Sequence, residues 1–137
     1  MKDDNILKEK SLAFGIRIVR LAKYFIKKTS VAEQPIFTQI LKSGTSIGAN
    51  IRESEFGEST DDFKHKLKIA LKEANETEYW IEILHSSEYM SDDQYESIIV
   101  DCKELIKLLT ASINTLKKKI ITNQQLIVDD FRPHGNC

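Results

Sequence analysis

Apolar positions along this chain recur at the helical period over almost its whole length. Leu7, Ser11, Phe14, Ile18, Leu21 and Phe25 step 4-3-4-3-4, and Leu12, Ile16 and Val19 widen that stripe. They predict a first helix over residues 8–28. Residues 29–34 connect it to a second helix over 35–56, where Pro35 sits in the first turn and its missing N–H costs nothing. Ile36, Ile40, Gly44, Ile47 and Ile51 share one face of this helix, with Phe37, Leu41 and Gly48 beside it, and Gly57 suits its C-cap. A third helix over 60–87 begins after Ser59, an N-cap with Asp62 three residues on. Its stripe runs Phe63, Leu67, Ala70, Ala74, Thr77, Ile81 and Leu84 without a break. A second row on it, Ile69, Glu73, Glu76, Trp80 and Ile83, mixes carboxylates with an indole. Ser91 caps a fourth helix over 92–121, with Asp92 and Asp93 favourable to the dipole of its first turn. Its apolar row is Ile98, Cys102, Leu105, Leu109, Ser112 and Leu116. Residues 122–137 lose the pattern, and Pro133 and Gly135 suggest a partly disordered tail.

Four long helices with short links predict an all-α, antiparallel up-down-up-down four-helix bundle over residues 1–121. Composition agrees. The 137 residues are 41% hydrophobic and 30% charged, which excludes both a disordered chain and a membrane protein. Only 5 Gly and 2 Pro leave little material for the turns of an all-β fold. The N-terminus shows no apolar segment of the secretory type, and no run reaches the ~18 apolar residues that span a bilayer. The two cysteines cannot make a disulfide framework, and the cytoplasm is the expected location.

Charge is balanced in total, at −1, but not along the chain. Residues 1–30 carry eight Lys/Arg against three acids, whereas residues 52–96 carry thirteen acids against five Lys/Arg. Residues 97–137 are mildly basic again. Such a pattern suits two readings. Either antiparallel helices neutralise one another, or a basic stripe of Arg17, Arg20, Lys23, Lys27 and Lys28 faces a polyanion, with Lys117, Lys118 and Lys119 as a further group near the start of the first helix. Repetition by symmetry would strengthen the field of any such stripe.

Several spellings mimic catalytic motifs without their context. Gly44-Thr45-Ser46-Ile47-Gly48 spells a nucleophile elbow, but helical periodicity on both sides denies it the strand-turn-helix setting. Glu82-Ile83-Leu84-His85 spells a di-iron ligand unit. Its nearest second copy, Asp62-Phe63-Lys64-His65, lies on the same helix, roughly 30 Å away at the standard helical rise. No convergent acid, base, nucleophile or ligand set emerges, so no metal, cofactor, small-molecule substrate or enzymatic activity is expected.

Two glycines inside a helix cost about 1 kcal/mol each against alanine, which calls for close helix–helix approach at Gly44 and Gly48. The segment Lys42-Ser43-Gly44-Thr45-Ser46-Ile47-Gly48-Ala49-Asn50-Ile51 with Glu53, the segment Ala70-Leu71-Lys72-Glu73-Ala74-Asn75-Glu76-Thr77-Glu78-Tyr79-Trp80, and the Phe14–Leu21 stripe together resemble the bacterial four-helix-bundle family of 23S rRNA intervening-sequence proteins. The likeness covers about residues 8–120. It implies a homopentamer and a distant relation to the accessory protein of diversity-generating retroelements, a basic pentamer that binds nucleic acid. The resulting expectation is a non-enzymatic homo-oligomer that binds structured RNA or other nucleic acid through basic faces. The alternative is a protein–protein scaffold with no nucleic-acid role. Gly44, Ser46, Gly48 and Asn50 are expected to meet Glu73, Glu76 and Trp80 in a hydrogen-bonded contact, within a protomer or between protomers.

Overall fold

The computed structural model describes residues 2–130, with side chains described for residues 6–118, 124 and 125. Four helices make up the chain: α1 (Lys2–Ile26), α2 (Gln34–Ser54), α3 (Thr60–Ser86) and α4 (Asp92–Asp130). A 3-10 turn, Val31–Glu33, joins the first two. All four expected helices are present, in the expected order, and no strand occurs among the described residues.

The caps follow from local chemistry. Ser59 Oγ accepts the Asp62 N–H at 3.1 Å. Ser91 and Gln94 cap α4 reciprocally: Ser91 Oγ accepts the Gln94 N–H at 3.2 Å, and Gln94 Oε1 accepts the Ser91 N–H at 2.9 Å. α2 stops at Ser54, and Gly57 lies beyond its end in the turn to α3. A side chain at Gly57 would come within 3.1 Å of the Phe63 nitrogen, so tight passage of the chain, and not a helix cap, selects glycine there.

Two ends differ from the sequence expectation. α1 starts at Lys2, because Asp3 and Asp4 favour the positive end of a helix. α4 continues nine residues past the expected stop, to Asp130. Residues 122–130 contain no Gly or Pro to break a helix, so the start of the expected tail is helical; Phe131, Pro133 and Gly135 lie outside the described residues.

The core is one apolar column. Leu7, Phe14, Ile18 and Phe25 of α1 meet Phe37, Ile40, Ile47 and Ile51 of α2, with Leu67, Ala70, Ala74, Ile81 and Leu84 of α3 and Ile98, Cys102, Leu105, Leu109 and Ile113 of α4. Ile113, not Ser112, continues the buried row of α4. Burial pushes the Cys102 thiol up to about 12, which makes it a small core residue. Inside the core, Thr77 Oγ1 lies 2.9 Å from Ser43 Oγ and 2.7 Å from the Glu73 carbonyl oxygen, a polar link between α2 and α3. No buried side-chain nitrogen or oxygen among the described residues lacks a partner.

Glycines set the spacing of α1 and α2. A Cβ at Gly44 would lie 2.8 Å from Ile18 Cγ2 and 2.9 Å from Ile18 Cγ1. At Gly48 it would lie 3.3 Å from Ser11 Oγ. Gly15 answers from α1, but a Cβ there would meet only the Gly44 carbonyl oxygen, at 3.9 Å. The contrast makes a test. Gly44→Ala should destabilise, since crowding of about 1–3 kcal/mol outweighs the ~1 kcal/mol gain in helix propensity. Gly15→Ala should stabilise by up to about 1 kcal/mol. Urea midpoints that move the same way for both variants would refute this account of the crossing.

Candidate interaction surface

The outer face of α1 carries the least expected feature of the chain. Leu12, Ile16 and Val19 follow one another at helical spacing and were expected to widen the buried stripe. Instead they are 53%, 44% and 47% exposed. The reason is geometric. Ser11 and Ile18 face α2 and Lys10 and Arg17 reach α4, so Leu12, Ile16 and Val19 fall on the remaining flank of α1. Together with Thr45, Gly48 and Ala49 of α2 that row lines a groove of about 630 Å³. Lys8, Arg20, Arg52 and Glu53 form its polar rim.

The cations of the chain do not form one stripe. Arg17 is engaged across the bundle: it donates to Asp101 Oδ2 at 2.6 Å, to the Ser97 carbonyl at 3.0 Å and to Ser97 Oγ at 2.7 Å. Lys10 pairs with Glu104 at 2.8 Å, and Lys8 pairs with Glu55. Basic α1 is thus neutralised in part by acids of α2's end and of α4, the intramolecular reading of the charge pattern. Arg20, Lys23 and Lys27 are exposed and make no hydrogen bond or ion pair with another described residue. Lys28 donates to Tyr24 Oη and stands 4.0 Å over its ring, which lowers the Tyr24 pKa. Lys117 and Lys118 are exposed at the opposite end of the bundle; the Lys119 side chain lies outside the described residues.

The mixed strip of α3 is local within one protomer. Trp80 Nε1 donates to Glu76 Oε1 at 3.4 Å on the same helix. Ser46 donates to the Lys42 carbonyl and Asn50 to the Ser46 carbonyl, also within their own helix. Gly44 and Gly48 face α1. The expected contact of these α2 residues with Glu73, Glu76 and Trp80 therefore does not form inside a protomer, where Ser43 and Thr77 take that place. Period alone could not tell which side of α2 met which neighbour.

The motif-like spellings resolve into structure. Ser46 lies inside uninterrupted α2, with no strand before it. His85 Nε2 lies 2.7 Å from Asp92 Oδ1, and its ring stacks on Tyr95 at 4.0 Å. Among the described residues no group of three or more His, Cys, Asp or Glu is placed to hold a metal. No described helix is long and apolar enough to cross a membrane.

The model of the 23S rRNA-intervening sequence proteins matches residues 3–111. The chain belongs to this family. A solved relative is similar: a protein of unknown function from the S23 ribosomal protein family of Bacteroides thetaiotaomicron, 54% identical, with a TM-score of 0.76. The likeness covers 82% of this chain and 98% of that one. No curated protein matches. The intervening-sequence fold thus accounts for α1 to α3 and about the first half of α4, while the family match ends before the last nineteen residues of that helix.

Electrostatics of the α3 strip can be tested. Burial, and then Glu76, raise the Glu73 pKa, while Lys72 and Lys42 pull it down. A carboxyl whose folded pKa is raised stabilises most below its unfolded pKa, and that contribution is lost as pH rises through the folded value. Glu73→Gln should therefore raise the stability measured by urea unfolding at neutral pH, by about 0.5 kcal/mol or less for this partly exposed group. The gain should shrink as the carboxyl protonates in acid. A gain independent of pH would refute it.

Proposed function

We propose that this protein is a non-enzymatic, self-assembling four-helix bundle of the bacterial cytoplasm, and that the groove between α1 and α2 receives another copy of the chain. The exposed row Leu12, Ile16 and Val19 carries the reading. Three neighbouring aliphatic side chains in a groove with a charged rim have the anatomy of an interface core. A homopentamer is the assembly that the family resemblance implies. The acid-rich third helix and the start of the fourth offer a complementary surface, with Tyr79 and Val100 as exposed apolar residues there. A heterologous contact of this kind closes into a ring when the rotation permits.

Nucleic-acid binding is the second reading, favoured by Arg20, Lys23 and Lys27, which have no acid partner among the described residues. Copied around a ring they would form a belt of positive charge. Arg17 contributes less to such a belt than its sequence position suggested, being held by Asp101. A scaffold that binds other proteins only is the alternative, and surviving partners after RNase treatment would favour it.

Light scattering should give a mass several times the 15.7 kDa protomer. Leu12→Asp/Ile16→Asp should reduce it to one or two copies with the helical circular dichroism intact. A wild-type mass of a single protomer would sink the assembly reading. For the second reading, the chain should retard structured RNA with an affinity that falls steeply as salt rises. Lys23→Glu/Lys27→Glu should weaken that binding at least tenfold, and equal affinity for variant and wild type would exclude this surface.

A further inference from the structure

α3 changes sign at its middle. Lys64, Lys66, Lys68 and Lys72 follow its first turn with no acid among them, and Glu73, Glu76, Glu78 and Glu82 come next with no Lys or Arg. Along α1 the order is reversed. In its first half Lys8 and Lys10 are taken by Glu55 and Glu104, while Glu9 is exposed and makes no ion pair with another described residue. Its second half leaves Arg20, Lys23 and Lys27 in the same condition. Nothing within a protomer uses this match, because α1 and α3 stand at diagonal corners of the bundle and do not touch.

The two helices run in the same direction, and α2 between them fixes their relative height. Ile18 packs on Gly44, and Ser43 beside it bonds to Thr77, so Ile18 and Thr77 are about level. Ser11 against Gly48 and Lys66 against Glu53 keep that correspondence to within a turn. Equal steps along both helices then put Lys23 level with Glu82, Ile16 with Asn75 and Glu9 with Lys68. Glu9, Ile16 and Lys23 stand seven residues apart, as do Lys68, Asn75 and Glu82, so each trio keeps to one side of its helix. All six are exposed, and the four charged ones make no ion pair with another described residue.

We propose that the α1–α2 groove takes the outer face of α3 of a second copy standing the same way up. The proposal rests on the reading that another copy fills this groove, and names the face and the orientation. A rotation about an axis parallel to the bundle leaves every residue at its own height, so neighbours in such a ring meet level with level. Lys23 then meets the partner's Glu82 at one end of the contact, and Glu9 meets the partner's Lys68 at the other. Between them the apolar row around Ile16 faces the partner's Asn75 and Tyr79. The same copy turned upside down about this centre would set Lys23 against Lys68 and Glu9 against Glu82. Like charges so placed reject the wrong orientation and fix register more than they add affinity. A contact between two different faces leaves one groove and one α3 face free on any pair, so copies add in one direction until a ring closes.

Disulfide trapping and light scattering on the full chain test it. In a Cys137→Ser background, with Cys102 buried, Lys23→Cys/Glu82→Cys should give a ladder of cross-linked multiples under mild oxidation. Lys23→Cys/Lys68→Cys, the pair an inverted neighbour would join, should give none, and neither should Lys23→Cys or Glu82→Cys alone. At low salt Lys23→Glu should lower the mass of the assembly, and adding Glu82→Lys should restore it. A ladder from Lys23→Cys/Lys68→Cys would overturn the orientation. Absence of a ladder from both pairs, in a chain whose mass is still several protomers and still falls with Leu12→Asp/Ile16→Asp, would remove α3 as the occupant and leave the groove reading standing. A wild-type mass of one protomer would sink both.

Discussion

The approach of α2 to α1 at Gly44 is the contact on which the rest of this molecule turns. Ile18 fills the space that any Cβ at Gly44 would need. Two helices with ordinary side chains at a crossing keep their axes 8–10 Å apart or more, and removing one side chain lets ridge and groove engage more deeply. The cost in helix propensity at Gly44 and Gly48 is offset by that packing. With α2 against Ser11 and Ile18 and α4 against Lys10 and Arg17, the row Leu12, Ile16 and Val19 is left exposed.

Charge is arranged by the same antiparallel geometry. α1 runs against α4, which brings Arg17 to Asp101 and Lys10 to Glu104. These pairs are about two fifths exposed, so each contributes at most about 1 kcal/mol and serves more to set register than to stabilise. The cations that remain unmatched lie toward the C-terminal half of α1, where a helix end is already favourable to positive charge. Acidic α3 and basic α1 leave the protomer with opposite faces of opposite sign, a disposition suited to head-to-tail contact between copies.

Polar groups in the interior are few and local. Ser43 and Thr77 satisfy each other between α2 and α3, and Cys102 donates to the Ala74 carbonyl between α3 and α4. Each gives an otherwise apolar seam one fixed register mark, since sliding by a turn would bury an unpaired hydroxyl. Between α1 and α4 the register marks among the described residues lie nearer the surface, where Arg17 reaches Asp101 and Ser97 and Lys10 reaches Glu104. That seam is the more open one, and a second groove of about 490 Å³ lies along it.

Periodicity was enough to read four helices, their order, the caps at Ser59 and Ser91, and most of the core, because each depends on neighbours three or four residues away. The glycines announced a close crossing for the same reason. Their partner was not legible: Gly44 and Gly48 face α1, while Ser43 beside them faces α3, and only the assembled bundle apportions the sides of α2. Nor could spacing tell that Leu12, Ile16 and Val19 stay outside, since an apolar row is written alike whether a neighbour covers it or not. Arg17 looked as free as Arg20 until folding brought Asp101 to it from 84 residues away. What a chain states locally it states by period and cap; which surface is covered and which charge is paired depends on residues distant in sequence, and is decided where the helices meet.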